Sequence, residues 1–349
     1  MGFWSSTTAN PSFWDVLGPG SHTPRYLRTT QAPAPPLPHG LRIRRADVGS
    51  TGAVASFWRA YYRGADWSYD PTPGVMESVC AAYLKDADVI CLCLYDGHGR
   101  GELIASIMST PIGKALFGHG GIVDDMRSVE GLCVHDMYRG KGIAGLMIGW
   151  IDHVTSAGGK VVHLWSRELD VWPWYHTAAV LHTYVYLHSR VALVTVPFER
   201  VPWNIFAARW AVNAARWATE HDRAIVATTP HNRRGDLHVF RTVAGDRIVV
   251  ISNTRRVTCD GAAIYELVWC GEGAELKPIY DISRFQQFLE SVCAGALGGG
   301  ILFVGCGGNG DGWGAPWIAG KSGYHAWYIY NYIPPAFGSC VLNIMREEL

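Results

Sequence analysis

The sequence has no apolar run long enough to cross a bilayer. The longest, "VALVTV" and "ILFVG", fall far short of the ~20 residues a spanning helix needs. Its amino terminus, "MGFWSSTTANPSFWDVLGPGSH", lacks the basic start and apolar core of a secretory signal. Neither charge is in excess: 30 Lys+Arg stand against 30 Asp+Glu, a formal net charge of zero. That balance gives no electrostatic reason to expect nucleic acid or an anionic membrane as partner. The nine cysteines contain no Cys-x-x-Cys pair, so neither a zinc framework nor a dithiol motif is expected, and free thiols are. These absences predict a soluble, cytoplasmic protein with no bound metal.

What is present is apolar material: 48% of the 349 residues are hydrophobic and only 17% charged, enough for more than one core. Cys91 and Cys93 alternate on "DVICLCLY", so a strand there turns both to one face. His176, His182 and His188 are spaced by six, off any one helix face, which argues against a three-histidine metal site. Gly2 and Ser6 fit the outline of a myristoylation signal, against which stands the bulky Phe3.

Residues 1–40 read as an arm, with "APAPPLPHG" proline-rich and extended. Regular structure is expected from about Leu41: helices at "GAVASFWRAYYR" and "GVMESVCAAYLKD", strands at "DVICLCLY" and "GELIASIMST", then "VEGLCVHDMYRGKGIAGLMIGWI", a strand, a loop and a helix. A strand at "KVVHLWS" closes this half. From about Val196 the plan partly repeats, with the helix "WNIFAARWAVNAARWATEHD", the hairpin "LHVFRTVAGDRIVVISNTRR", the strand "GAAIYELVWCG", a helix at "DISRFQQFLESVCAGAL" capped by Asp281 or Ser283, and strands at "GGGILFVGCGG" and "HAWYIYNYI". The simplest architecture is two mixed α/β domains of similar plan, at 41–195 and 196–349.

Between the strand and helix of the first half lies Arg139-Gly140-Lys141-Gly142-Ile143-Ala144, of the form R-x-x-G-x-A. Gly140 and Gly142 open backbone angles closed to other residues and let a ligand approach the main chain. Successive N–H groups at a helix N-terminus bind phosphate oxygens, and the two cations add charge. Read from these residues alone, the loop is either such a cradle or a plain β–turn–α connection. It is not a dinucleotide fingerprint, which needs a third glycine and a later acid. "GKS" at Gly320–Ser322 fails as a nucleoside-triphosphate loop, since Ala315 stands where its first glycine belongs and Pro316 and Trp317 lie inside it.

R-x-x-G-x-A resembles the pyrophosphate loop of the GCN5-related acyltransferases. With its flanks, "LCVHDMYRGKGIAGLMI" is similar to the acyl-CoA motif of the N-myristoyltransferases, L-C-V-H-x-x-x-R-x-K-x-x-A-x-x-x-I: Leu132, Cys133, Val134, His135, Arg139, Lys141, Ala144 and Ile148 fall on it. Other segments follow in order. "FWD" at Phe13–Asp15 resembles the family's N-terminal F-W-x-T-Q-P, "LPHGL" its L-P-x-G-F, and "WSYDPTP" its F-R-F-D-Y-S-P. "WYH" at Trp174–His176 resembles Y-W-H, and "WYIYNYIPP" resembles Y-Y-L-Y-N-W.

The resemblance implies two tandem GCN5-related acyltransferase-like domains related by a pseudo-twofold, and no permanently bound cofactor. It implies a monomer that transfers a long acyl chain, myristoyl, from acyl-CoA to the N-terminal glycine amine of a peptide or protein. Phe13, Trp14, Leu132, Cys133, Val134, Arg139, Gly140, Lys141, Gly142, Ile143 and Ala144 would hold CoA. Backbone N–H groups of Gly131 and Leu132 would form the oxyanion hole, and the α-carboxylate of Leu349 would accept the amine proton. Tyr69, Ser166 and His176 would line the peptide side. Gly131 stands where the family has phenylalanine, which is expected to weaken the strand. The acidic loop that reads a peptide lysine in the family is shortened to "YYRGADW", with only Asp66. Two other functions remain open on the sequence: an acetyl-CoA-dependent N-acetyltransferase, and a degenerate acyl-CoA-binding protein.

Overall fold

The computed structural model describes residues 25–63, 67–97, 101–118, 120–168, 179–188, 195–220, 224–278, 285–298, 301–307, 323–333 and 341–343. The strands are β1 (Arg25–Tyr26), β2 (Leu41–Arg45), β3 (Trp67–Tyr69), β4 (Ile90–Asp96), β5 (Leu103–Phe117), β6 (Ile122–Val134), β7 (Val162–Glu168), β8 (Ala179–His188) and β9 (Phe198–Val201). They continue with β10 (Ala224–Ala227), β11 (Leu237–Thr242), β12 (Arg247–Thr258), β13 (Ala263–Glu272), β14 (Lys277–Pro278), β15 (Ile301–Gly307), β16 (Gly323–Tyr330), β17 (Tyr332–Ile333) and β18 (Val341–Asn343). The helices are α1 (Thr51–Tyr61), α2 (Val75–Leu84), α3 (Ile143–Thr155), α4 (Trp203–Glu220) and α5 (Gln286–Ala296). None of the described helices is long and apolar enough to cross a membrane.

The two halves of the chain build the same ladder twice. In the first, β2, β4, β5 and β6 pair antiparallel and β6 pairs β7 in parallel, with α3 as the crossover. In the second, β9, β11, β12 and β13 pair antiparallel and β13 pairs β15 in parallel, with α5 in the crossover. The halves then exchange strands. β16 of the second half lies between β7 and β8 of the first, and β8 pairs β15 of the second, so one sheet runs through both.

Alternation decides the faces. Cys91, Cys93, Met108 and Cys133 turn to the side of α1 and α2, while Leu92, Leu94, Ile104, Ile107 and Val129 turn to α3. Both faces of these strands are covered, which explains why "ICLCL" is apolar without a polar alternate. On α3, Ile143, Met147, Ile148 and Ile151 repeat at helical spacing and are buried against the sheet. Each such side chain contributes on the order of 1.5–3 kcal/mol.

One expectation is corrected: among the described residues, regular structure is present already at Arg25–Tyr26, ahead of Leu41, where β1 pairs β17. The helix α5 runs from Gln286 with Phe285 before it and no side-chain cap bond; Asp281 and Ser283, expected as its cap, lie outside the described residues.

The arm is also tied down. Arg28 Nη2 donates to Asp152 Oδ1 of α3 at 2.7 Å, with both side chains nearly buried. The Ala32 N–H donates to Ser156 Oγ at 2.8 Å, and His153 Nδ1 lies 2.7 Å from the Ala32 carbonyl. Asn331, buried at φ +67, accepts the Arg28 N–H at 2.7 Å and donates to the carbonyls of Arg28 and Val161. Asparagine tolerates that backbone region, and its amide ties its own segment to those of Arg28 and Val161.

Behind Asp152 sits His163, fully buried. Its Nε2 is 2.8 Å from Thr155 Oγ1 and its Nδ1 is 3.7 Å from Asp152 Oδ1. Burial lowers its pKa to about 4, against the pull of Asp152 and with further lowering by Arg127 and Arg28. The unfolded chain therefore binds this proton near pH 6.5 and the folded chain only near 4. Stability is expected to fall as pH drops through that window, by about 3 kcal/mol in total. Denaturant unfolding at pH 7 and pH 4.5 should show the loss, and His163→Asn should flatten it. Equal pH dependence in parent and variant would remove His163 as its source.

Candidate functional site

The ladder between β5 and β6 slips once near the end of β6. Ser106 faces Cys133 and Met108 faces Glu130, so Ile107 alone stands opposite Gly131 and Leu132. Two residues against one is a β-bulge, and Gly131 at φ +62 gives it the form that requires glycine. A Cβ on Gly131 would also stand 3.0 Å from the Trp58 ring. The expectation that glycine merely weakens this strand is thus corrected: it builds the irregularity.

On its other edge β6 loses a neighbour. Its parallel register with β7 runs from Met126–Val162 to Val129–Trp165, and among the described residues no pair continues it. β6 itself continues to Val134, so the bulge borders a wedge between two strands that have parted. Glu130 enters the bulge with its Oε1 accepting from Thr110 Oγ1 at 3.0 Å.

After β6 the chain makes a short turn. His135 Nδ1 accepts the Met137 N–H at 3.1 Å, and its ring lies 4.3 Å from that of Tyr61. His135 therefore shapes the turn. Arg139 is a brace as well: it donates to the Val134 carbonyl at 3.2 Å and the Tyr61 carbonyl at 3.0 Å, and pairs with Asp136 at 3.1 Å. Lys141 places its ammonium 5.1 Å from the Tyr138 ring centre, a favourable cation–π geometry. The two cations expected to supply charge to the loop are thus engaged with the protein, Arg139 most of all. Gly140 at φ +75 and Gly142 at φ +77 turn the chain into α3, and no atom of the described residues lies within 4 Å of a Cβ built on either. The first turn of α3 has no acidic residue to offset the positive end of its dipole.

A cavity of about 860 Å³ opens on this turn. Val134, Arg139, Gly140, Gly142, Ile143 and Ala144, all expected at the site, line it. Its other wall is Ala32 to Pro36 of the arm, and Asp152 and Tyr330 are also among its lining residues. A Cβ on Gly149, in mid-α3, would meet Pro35 Cγ at 2.6 Å, so that glycine lets the arm close on the helix.

The remaining expected residues divide. Leu132 is half-buried with its side chain against the α3 core. Ser166 is on β7, opposite Trp327. Tyr69 is 2% exposed and stacked on Tyr62 at 5.5 Å; its hydroxyl is buried without a hydrogen-bond partner among the described residues, and burial pushes its pKa well up. Arg256, its partner across the β3–β12 ladder, lies 4.3 Å over Trp67, and Arg234 and Arg255 pair with buried Asp236. The described groups near Tyr69 are thus mainly cationic. Phe13, Trp14, His176 and Leu349 lie outside the described residues. Trp58, Ser106 and the arm prolines were not foreseen as parts of this region. The proline run was the one available signal, since its partner surface is not encoded beside it. Among the described residues no group of three or more His, Cys, Asp and Glu could hold a metal.

Cys133 is buried in the α1–α2 core, and burial pushes its thiol up to about 12. A nucleophilic cysteine needs the opposite shift. Cys133→Ala should cost roughly 1 kcal/mol of stability from lost packing, and Cys133 should resist alkylation in the native protein. Rapid alkylation would contradict this.

No protein-family model matches the sequence, and a search of curated proteins found no match. Solved structures do match. The chain is similar to Saccharomyces cerevisiae N-myristoyltransferase with bound myristoyl-CoA at 11% identity and a TM-score of 0.68, over 99% of this chain and 97% of that one. A second structure of the yeast enzyme gives 12% and 0.69, over 99% and 92%. A putative acetyltransferase from Pyrococcus horikoshii gives 12% and 0.51, over 90% and 96%. At such identities the likeness is one of fold, and over nearly its whole length this chain has the N-myristoyltransferase fold, two GCN5-related acyltransferase-like halves in tandem.

Proposed function

We propose that this protein is an acyl-CoA-dependent N-acyltransferase that moves a long acyl chain, myristoyl, to the N-terminal glycine amine of a peptide. One observation carries the reading: a glycine-built bulge at a parted strand edge is followed directly by a glycine turn, a helix N-terminus and a cavity. The turn would hold the pyrophosphate with backbone N–H groups. The wedge would take the pantetheine arm along β6 and bring the thioester carbonyl to Gly131 and Leu132. The bound myristoyl-CoA of the yeast structures and the motif from Leu132 to Ile148 support the choice of donor.

In the reaction an ammonium group first gives one proton to a carboxylate. The free amine attacks the thioester carbon, forming C–N, and the oxyanion is stabilised by main-chain donors, which commonly supply ~3–4 kcal/mol. Collapse breaks C–S, and the CoA thiolate takes the second nitrogen proton. No acyl-enzyme forms, in keeping with the Cys133 thiol held near 12.

Binding tests the reading at its root. Myristoyl-CoA at a hundredfold excess over Kd should stabilise the fold by about 2.7 kcal/mol, read as a rise in Tm. Gly142→Val should abolish that rise, because a β-branched residue resists positive φ and would crowd the pyrophosphate. Myristoyl-CoA should outcompete acetyl-CoA by orders of magnitude. The reverse preference would indicate an acetyltransferase, binding without turnover a degenerate module, and an unchanged Tm would refute all three.

Two carboxylates compete as proton acceptor. The resemblance gives the role to the α-carboxylate of Leu349, and the described residues offer Glu130 beside the bulge. Deleting Leu349 moves its carboxylate by one residue, about 3.3–3.6 Å in an extended tail. If Leu349 is the base, kcat should fall at least ~100-fold while acyl-CoA affinity holds. Glu130→Gln should then change kcat little. The opposite pattern in a steady-state assay would assign the proton to Glu130.

A further inference from the structure

Between the bulge and the helix that covers it runs a buried chain of three groups. Trp58 Nε1 donates to Ser106 Oγ at 2.7 Å, and Ser106 Oγ donates to the Gly131 carbonyl at 3.2 Å. Trp58 is 1% exposed and Ser106 is fully buried, so water does not compete for either bond. The order of donation is fixed by chemistry. An indole N–H can only donate, so it occupies an acceptor site on the hydroxyl oxygen, and the hydroxyl hydrogen goes to the carbonyl.

The carbonyl in question belongs to the peptide unit that joins Gly131 to Leu132. That unit is planar and trans, with no cis bonds among the described residues. Its C=O and N–H point in opposite directions. A Gly131 carbonyl drawn to the Ser106 hydroxyl turns the Leu132 N–H away from that hydroxyl, and beyond the Val129–Trp165 pair no described residue of β7 pairs with β6. At most strand positions the ladder alone fixes a peptide plane. At a bulge the register is broken, and glycine restricts the backbone least of all residues, so the Ser106 bond adds a hold on this plane.

We propose that Trp58 and Ser106 are positioning residues that aim the Leu132 N–H into the wedge and so preorganise one oxyanion donor. The inference rests on the acyl-transfer function proposed above. Neither residue touches the substrate. Trp58 holds Ser106, Ser106 holds the Gly131 carbonyl, and the rigid peptide passes the orientation to the donor. The same indole packs against the place where a Gly131 Cβ would be, so one side chain both requires the glycine and restrains it.

The test is steady-state kinetics with the full chain, comparing Ser106→Ala, Trp58→Phe and the double variant, with Tm and acyl-CoA affinity measured on each. A preorganised donor acts on the transition state more than on the bound thioester. Ser106→Ala should therefore lower kcat at least about tenfold, short of the 10²–10³ lost when a donor is removed outright. KM for acyl-CoA should stay within about twofold. Trp58→Phe, which keeps a ring but loses the N–H, should lower kcat in the same way. The double variant should be no slower than Ser106→Ala, because the indole acts only through the hydroxyl. A merely structural role would lower Tm and acyl-CoA affinity together and leave the two losses to multiply; that pattern overturns the proposal. An unchanged kcat in Ser106→Ala overturns the relay and leaves the proposed function standing. A parent protein that neither binds nor turns over acyl-CoA removes that function, and the relay falls with it.

Discussion

Gly131 is held at φ +62 against the ring of Trp58, and the bulge in β6 goes with that contact. A residue with a Cβ would be strained by its backbone and crowded by Trp58. With glycine, β6 takes up an extra residue opposite Ile107 and bends. The bend accompanies the separation of β6 from β7 beyond the Val129–Trp165 pair. A parallel sheet normally hides its strand edges. Here one edge is turned to a wedge, and the chain leaves that wedge directly into the glycine turn and α3.

The second constraint is the closure of the arm on α3. A proline-rich segment has few backbone donors and gains little from hydrogen bonding, so it is secured at points. Arg28 meets Asp152, the Ala32 main chain meets Ser156 and His153, and Pro35 fills the notch left by Gly149. Breaking one partner of a nearly buried ion pair commonly costs 3–5 kcal/mol, because the other charge is left in a poor solvent. The pair's surroundings reach further: Tyr330 of β16 donates to Asp152 and Asn331 bonds to Arg28, so the arm is registered against both halves of the chain. The cavity wall at Ala32 to Pro36 is thus placed by residues distant in sequence.

The two halves repeat a topology without repeating its use. Both have the antiparallel ladder and the parallel crossover, and they lend strands to one another at β8 and β16. Only β6 leads straight into a glycine turn and helix; β13 leads through the turn at 273–276 into β14. The second half meets the first through β3, where Tyr69 stands opposite Arg256. The cations gathered there differ in sign from the acidic loop of the family that the sequence resembles.

The order of elements, the faces of "DVICLCLY" and the position of the R-x-x-G-x-A turn were legible in the sequence. Periodicity, glycine placement and local spacing are properties of neighbouring residues, and they need no partner to be read. The same locality explains the errors. Gly131 looked like a weak point because its cause, Trp58, lies on another element. The Tyr61 carbonyl and the Tyr138 ring that engage Arg139 and Lys141 are likewise placed only by folding. Asp152 and His163 are brought within 3.7 Å of each other, in a dry interior, only by the packing of α3 and β7. Sequence by itself determined which segment turns from strand to helix through two glycines, since that capacity lies in six consecutive residues. Tertiary structure alone decided where the strand opens beside it, because a bulge is a property of two strands and the side chain that packs on them.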